Sequence, residues 1–107
     1  MAVSEVTVDE LDMALQSGAR LIDVREVDEY QAAHVPGAVL VPLATVPSAL
    51  DHFATDQTTY VICRSGGRSQ RACEFLVEQG LSVINVGGGT LAWISSGRDI
   101  VAGDQPA

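Results

Sequence analysis

The sequence predicts an α/β domain built on a parallel or mostly parallel sheet with helices on both faces. Three observations point there. Short apolar runs alternate along the chain with segments of helical pattern, which is the order of a covered parallel sheet. The apolar runs are brief, as in strands buried on both sides. The 107 residues, 47% hydrophobic and 19% charged, suit one compact domain with a core of its own.

Element by element, Glu5 to Val8 reads as a first strand. Asp9 to Gln16 follows as a helix, with acids in its first turn, Leu11 and Leu15 at helical spacing and Gly18 to stop it. Leu21 to Val24 is a buried strand, and Val27 to Ala33 a short helix. Pro36-Gly37 breaks the chain within HVPGA (His34 to Ala38). Val39 to Val41 is a short strand, and Pro47 to Phe53 is expected to be helical with Pro47 in the first turn. Thr59 to Ile62 is a β-branched and aromatic strand. Ser69 to Gln79 is a helix with Ala72, Cys73 and Leu76 on one stripe and Gly80 past its end. Val83 to Val86 is the last strand, Gly87 to Gly89 turn, and Leu91 to Ser95 adds a short helix. One domain spans residues 1 to 107, with residues 103 to 107 expected as a loose tail.

Charge excludes some function classes. The net charge is −8, and eight of the fourteen acids lie between Glu5 and Glu29. Such a chain is a poor binder of nucleic acid or of an anionic membrane. It carries no secretory leader pattern and no apolar run long enough to span a bilayer, so a cytoplasmic location is expected. Two cysteines make no disulfide framework, and His34, His52 and the cysteines lack metal-ligand spacing, so no metal site is expected.

The basic residues are concentrated. Of six arginines, Arg64, Arg68 and Arg71 fall in eight positions beside Cys63, within and just after VICRSGGRS. Cys63 ends a strand and precedes a helix, which places it at the carboxyl edge of the sheet where ligands of such folds sit. A helix N-terminus and nearby arginines favour the thiolate, the nucleophilic form of cysteine. Gly66 and Gly67 allow the backbone to curl so that successive N–H groups face an anion, and Ser65 and Ser69 add hydroxyls. Ser69 alternatively caps the helix. The expected site is an anion cradle with the sulfur at its floor. Cys73, on the inward stripe of its helix, is expected to be core.

LIDVRE, EYQAAHVPGAVLVPL, VICRSGGRS and NVGGGTLAW occur in that order. Together they resemble the signature segments of the single-domain rhodaneses, the thiosulfate or persulfide sulfurtransferases. The resemblance covers most of the chain and implies a five-stranded, largely parallel rhodanese-like sheet. It implies that Cys63 carries the transferable sulfur as a covalent persulfide, with no cofactor. It further implies that Arg64 and Arg68, with the amides from Arg64 through Ser65, Gly66, Gly67 and Arg68 to Ser69, bind a small anionic sulfur donor. The acceptor would be a thiol or a sulfur-accepting protein. Asp23 and Arg25 would support the site, His34 would be a buried turn residue and not a base, and Trp93 would pack.

Competing functions remain. Related phosphatase domains place an arginine after five residues beyond the cysteine, whereas Arg68 follows Cys63 after four. The shorter loop resembles the sulfurtransferases and disfavours a phosphatase or an arsenate-handling enzyme. A non-enzymatic persulfide carrier needs the same loop and stays open. Gly87 to Ala92 formally fits a dinucleotide fingerprint, but fifteen residues after Ala92 leave no room for the rest of that fold.

Overall fold

The computed structural model describes residues 2 to 107. In chain order the elements are β1 (Ser4–Val6), α1 (Val8–Gln16), β2 (Arg20–Asp23), α2 (Val27–Ala32), β3 (Val39–Leu40), β4 (Thr59–Ile62), α3 (Gly67–Glu78), β5 (Val83–Val86) and α4 (Gly89–Ser95). Five strands form one sheet in the order β1-β5-β4-β2-β3, and every pairing is parallel. The expected α/β sheet is therefore present, with β4 at its centre.

Period-two alternation divides the core. Ile22, Val61 and Cys63 face one layer with Ala72, Cys73 and Leu76 of α3 and with Val46 and Phe53. Leu21 and Ile62 face the other, with Leu11 of α1, Tyr30 of α2 and Trp93 of α4. The side chain of Cys63 thus points to the α3 side of the sheet.

α1 begins at a capping box in which Thr7 and Glu10 satisfy each other's backbone N–H groups. α2 starts with the same reciprocal pattern between Glu26 and Glu29. That pattern fixes the Glu29 side chain, which matters for the site.

Two expectations fail. The segment expected as a helix from Pro47 to Phe53 is instead two 3₁₀ turns, Leu43–Ser48 and Leu50–His52. A three-residue period lines up Leu43, Val46 and Ala49 against the core, and Pro47 has no N–H for an α-helical ladder. The tail expected to be loose is docked. His34 and Val101 exchange backbone hydrogen bonds at 2.8 and 2.9 Å, and Gly103 N–H donates to Gln31 O and Gly37 N–H to Pro106 O, both at 2.8 Å. Backbone pairing with α2 and the HVPGA turn holds the tail, which an apolar pattern does not reveal.

Candidate active site

Cys63 follows the last residue of β4, and the chain then turns sharply into α3. Gly66 takes φ 110°, the left-handed region, and is the residue before the helix. Gly67 has no positive φ and already belongs to α3. The expected helix start at Ser69 is thus two residues late, so Arg68 and Ser69 sit in the first helical turn. Ser69 is no cap. It is fully buried, and its hydroxyl lies 3.3 Å from Cys63 Sγ and 3.2 Å from Gly66 O.

The thiol is enclosed. Cys63 is 1% exposed. Gly66 N–H donates to Sγ at 3.1 Å. Burial pushes the Cys63 thiol up, but the Ser69 hydroxyl and the amides of Ser69, Gly66 and Ser65 together outweigh it and hold the thiol below its ordinary value. Hydrogen bonds from the loop and from Ser69 are thus what hold the thiol down against burial. Cys73 is fully buried one helical turn beyond Ser69, and burial, with the Cys63 charge second, pushes its thiol up to about 12.

The arginines divide by partner. Arg68 closes a bidentate pair with Glu29 of α2, at 2.6 and 2.8 Å. Glu29 also accepts from Glu26 N–H at 3.0 Å. The hydrogen bonds from Arg68 hold the Glu29 carboxyl at about 2. Arg25 and Asp23 form a second, buried pair at 2.8 Å, and the Arg25 guanidinium also donates to Ala33 O at 2.7 Å. Asp23 and Arg25 therefore tie the end of β2 to the end of α2. Arg71 lies one turn along α3, in a groove with Leu43, Pro47 and Phe75. Among the described residues, Arg64 is exposed and has no ion-pair partner.

Two groups that the sequence did not single out support the loop. Thr90 donates to Cys63 O through both its N–H and its hydroxyl, each at 2.9 Å, and Leu91 N–H donates to Arg64 O at 3.0 Å. The N-terminus of α4 thus satisfies the carbonyls left behind by the turn. Gly89, at φ 59°, leaves room for them: a Cβ there would lie 2.6 Å from the carbonyl oxygens of Cys63 and Arg64. The GGGT run thus serves the loop. Glu29, 39 residues from Arg68 in sequence, also went unrecognised. His34 is fully buried, stacked on Tyr30, with its ring nitrogens 2.8 Å from Tyr30 O and Gln105 O. Trp93 is core and donates to Asp99 O at 2.7 Å.

The profile of the rhodanese-like domain family matches residues 7–96. The chain belongs to this family. The rhodanese-like domain is 35% identical over 95 residues to YtwF of Bacillus subtilis, which bears a sulfurtransferase name, covering 87% of this chain and 92% of that one. It is 33% identical over 103 residues to a protein named sulfurtransferase from Allochromatium vinosum, covering 94% and 96%. Among solved structures, a rhodanese-like domain protein of Staphylococcus aureus superposes with a TM-score of 0.80 at 33% identity, covering 85% of this chain and 91% of that one. The rhodanese-like domain is accordingly a sulfurtransferase at the level of its family. No described helix is long and apolar enough to cross a membrane.

Proposed function

We propose that the protein moves a sulfane sulfur from thiosulfate or a persulfide donor to a thiol or other nucleophilic acceptor through a persulfide on Cys63. The observation that carries this reading is the hydrogen-bonded enclosure of Cys63 Sγ by Gly66 N–H and the Ser69 hydroxyl. A thiolate kept ready needs no general base.

In the first half-reaction the Cys63 thiolate attacks the outer sulfur of the donor. The donor's sulfur–sulfur bond breaks, and sulfite leaves thiosulfate with the bonding pair. The new persulfide stays in the cradle of amides from Arg64 to Ser69. In the second half-reaction a thiol, cyanide in the assay tube, or a sulfur-accepting protein attacks the outer persulfide sulfur and restores the thiolate. Two displacements through one covalent intermediate give ping-pong kinetics.

The test is initial-rate kinetics with thiosulfate and cyanide, following thiocyanate. Parallel double-reciprocal lines and complete loss in Cys63→Ser are expected. Intersecting lines, or a Cys63→Ser variant that still turns over, would sink the proposal.

A further inference from the structure

The loop sequence offers two arginines, but the fold leaves one of them uncommitted. Arg68 gives both terminal nitrogens to both oxygens of Glu29, at 2.6 and 2.8 Å. The carboxylate is itself held by the Glu26 N–H at 3.0 Å, so the pair is fixed from the α2 side. Both side chains are roughly three-tenths exposed, so the pair meets solvent. Arg68 lies in the first turn of α3, directly after the loop that starts at Cys63. A second pair, Asp23–Arg25, is likewise closed. Arg64, the other loop arginine, is exposed and without an ion pair among the described residues, as is Arg71 one turn further along α3.

That charge count bears on the donor. Thiolate attack on thiosulfate brings charges of −1 and −2 together, and the products, a persulfide anion and sulfite, again sum to −3. Thiolate attack on an alkyl persulfide starts from −1 with R–S–SH and from −2 with its anion, R–S–S⁻. The Cys63–sulfur bond forms, the donor's sulfur–sulfur bond breaks, and the thiolate R–S⁻ leaves with the bonding pair, any proton on the outer sulfur remaining on the new persulfide. A cradle whose Arg68 is already neutralised suits the second reaction better than the first, because like charges are costly to juxtapose where water is excluded.

We propose that Glu29 is a specificity-determining residue of the sulfur-transfer site: by neutralising Arg68 it selects uncharged or singly charged persulfide donors over the thiosulfate dianion. This rests on the persulfide chemistry proposed above for Cys63. Glu29 acts through Arg68 and touches no reacting atom, so it is a positioning residue and not a catalytic one.

The test compares wild type and Glu29→Gln with thiosulfate and with 2-hydroxyethyl persulfide as donors. Gln keeps an oxygen for Arg68 and Glu26 while removing the charge. The expected result is a rise of roughly tenfold in kcat/KM for thiosulfate, mostly through KM, with a change under about twofold for the persulfide. The thiosulfate value should also fall more steeply with added salt than in wild type, which a loss of folding would not produce. If both proteins load sulfur on Cys63 but the donor ratio does not move, the role of Glu29 is overturned and the function stands. If neither donor loads Cys63 in wild type, the function falls and takes this inference with it. Should Glu29→Gln fail to fold, Glu29→Ala decides. A rise in the thiosulfate-to-persulfide ratio of kcat/KM supports neutralisation of Arg68 by Glu29, and an unchanged ratio overturns it.

Discussion

Gly89 stands where a side chain would collide with the backbone of Cys63: a Cβ at Gly89 would lie 2.6 Å from the Cys63 carbonyl oxygen. The same carbonyl receives both donors of Thr90. The floor of the loop is therefore shaped from α4, 26 residues downstream, as much as from its own glycines.

Gly89→Ala is expected to displace the loop and lose most sulfur transfer, with a stability loss of about 1–3 kcal/mol from strain at φ 59° and overpacking. Gly67→Ala is the control, because a Cβ there meets nothing within 4 Å. Thermal melts and kcat/KM for both variants check this. Equal tolerance of alanine at the two positions would contradict it.

Ser69 is the group that reaches Sγ from α3. Ser69→Ala removes the hydroxyl while keeping the backbone N–H, so the Cys63 thiol should titrate at higher pH. Loss of a hydrogen bond to a charged sulfur costs about 1.5 kcal/mol, or roughly tenfold in kcat/KM at neutral pH. Activity should recover at alkaline pH. A pH–rate profile that drops uniformly, without shifting, would rule this role out.

The two thiols should differ in alkylation. Cys63 is held below its ordinary value, while the thiol of fully buried Cys73 is pushed up to about 12. Iodoacetamide on the native protein at pH 7 to 8 is expected to modify Cys63 first and to spare Cys73 until denaturant is added. Peptide mapping reads the outcome, and comparable labelling of both would count against the enclosure described for Cys73.

The Arg68–Glu29 pair gives a pH signature. Glu29 is held at about 2 against an ordinary 4.5. A lowered carboxyl stabilises the fold above its unfolded value and loses that contribution as the pH falls through the folded one. The pair's share of stability should thus be complete above pH 4.5 and fade towards pH 2. Melting temperatures of wild type and Glu29→Gln should converge over that window. A gap constant from pH 6 to pH 2 would contradict the assignment.

What the sequence revealed follows contact distance along the chain. Thr59 to Ile62 and Val83 to Val86 are strands at the expected bounds, because a short β-branched run between turn signals is a local signal. Cys63 at the end of β4 and the glycine-aided turn were legible for the same reason. Glu29 was not, since its carboxylate meets Arg68 across 39 residues. Its only local trace is the Glu26–Glu29 capping spacing, which fixes a helix start and not a partner. Gly89 and Thr90 were read as a turn and a failed cofactor motif, because their partners are carbonyls from β4. The docked tail is held mostly by main-chain bonds, to which side-chain patterns are blind. The 3₁₀ turns arose where a three-residue apolar period at Leu43, Val46 and Ala49 overrode the helical reading begun at Pro47.

The most direct test of the central claim is intact-protein and peptide mass spectrometry after brief exposure to a sulfane-sulfur donor, thiosulfate and a small alkyl persulfide in turn, with Cys63→Ser alongside. The prediction is a gain of one sulfur atom, mapped to Cys63, absent from the variant and removed by cyanide with release of thiocyanate. No added sulfur from either donor, or sulfur mapped elsewhere, would contradict transfer through a Cys63 persulfide.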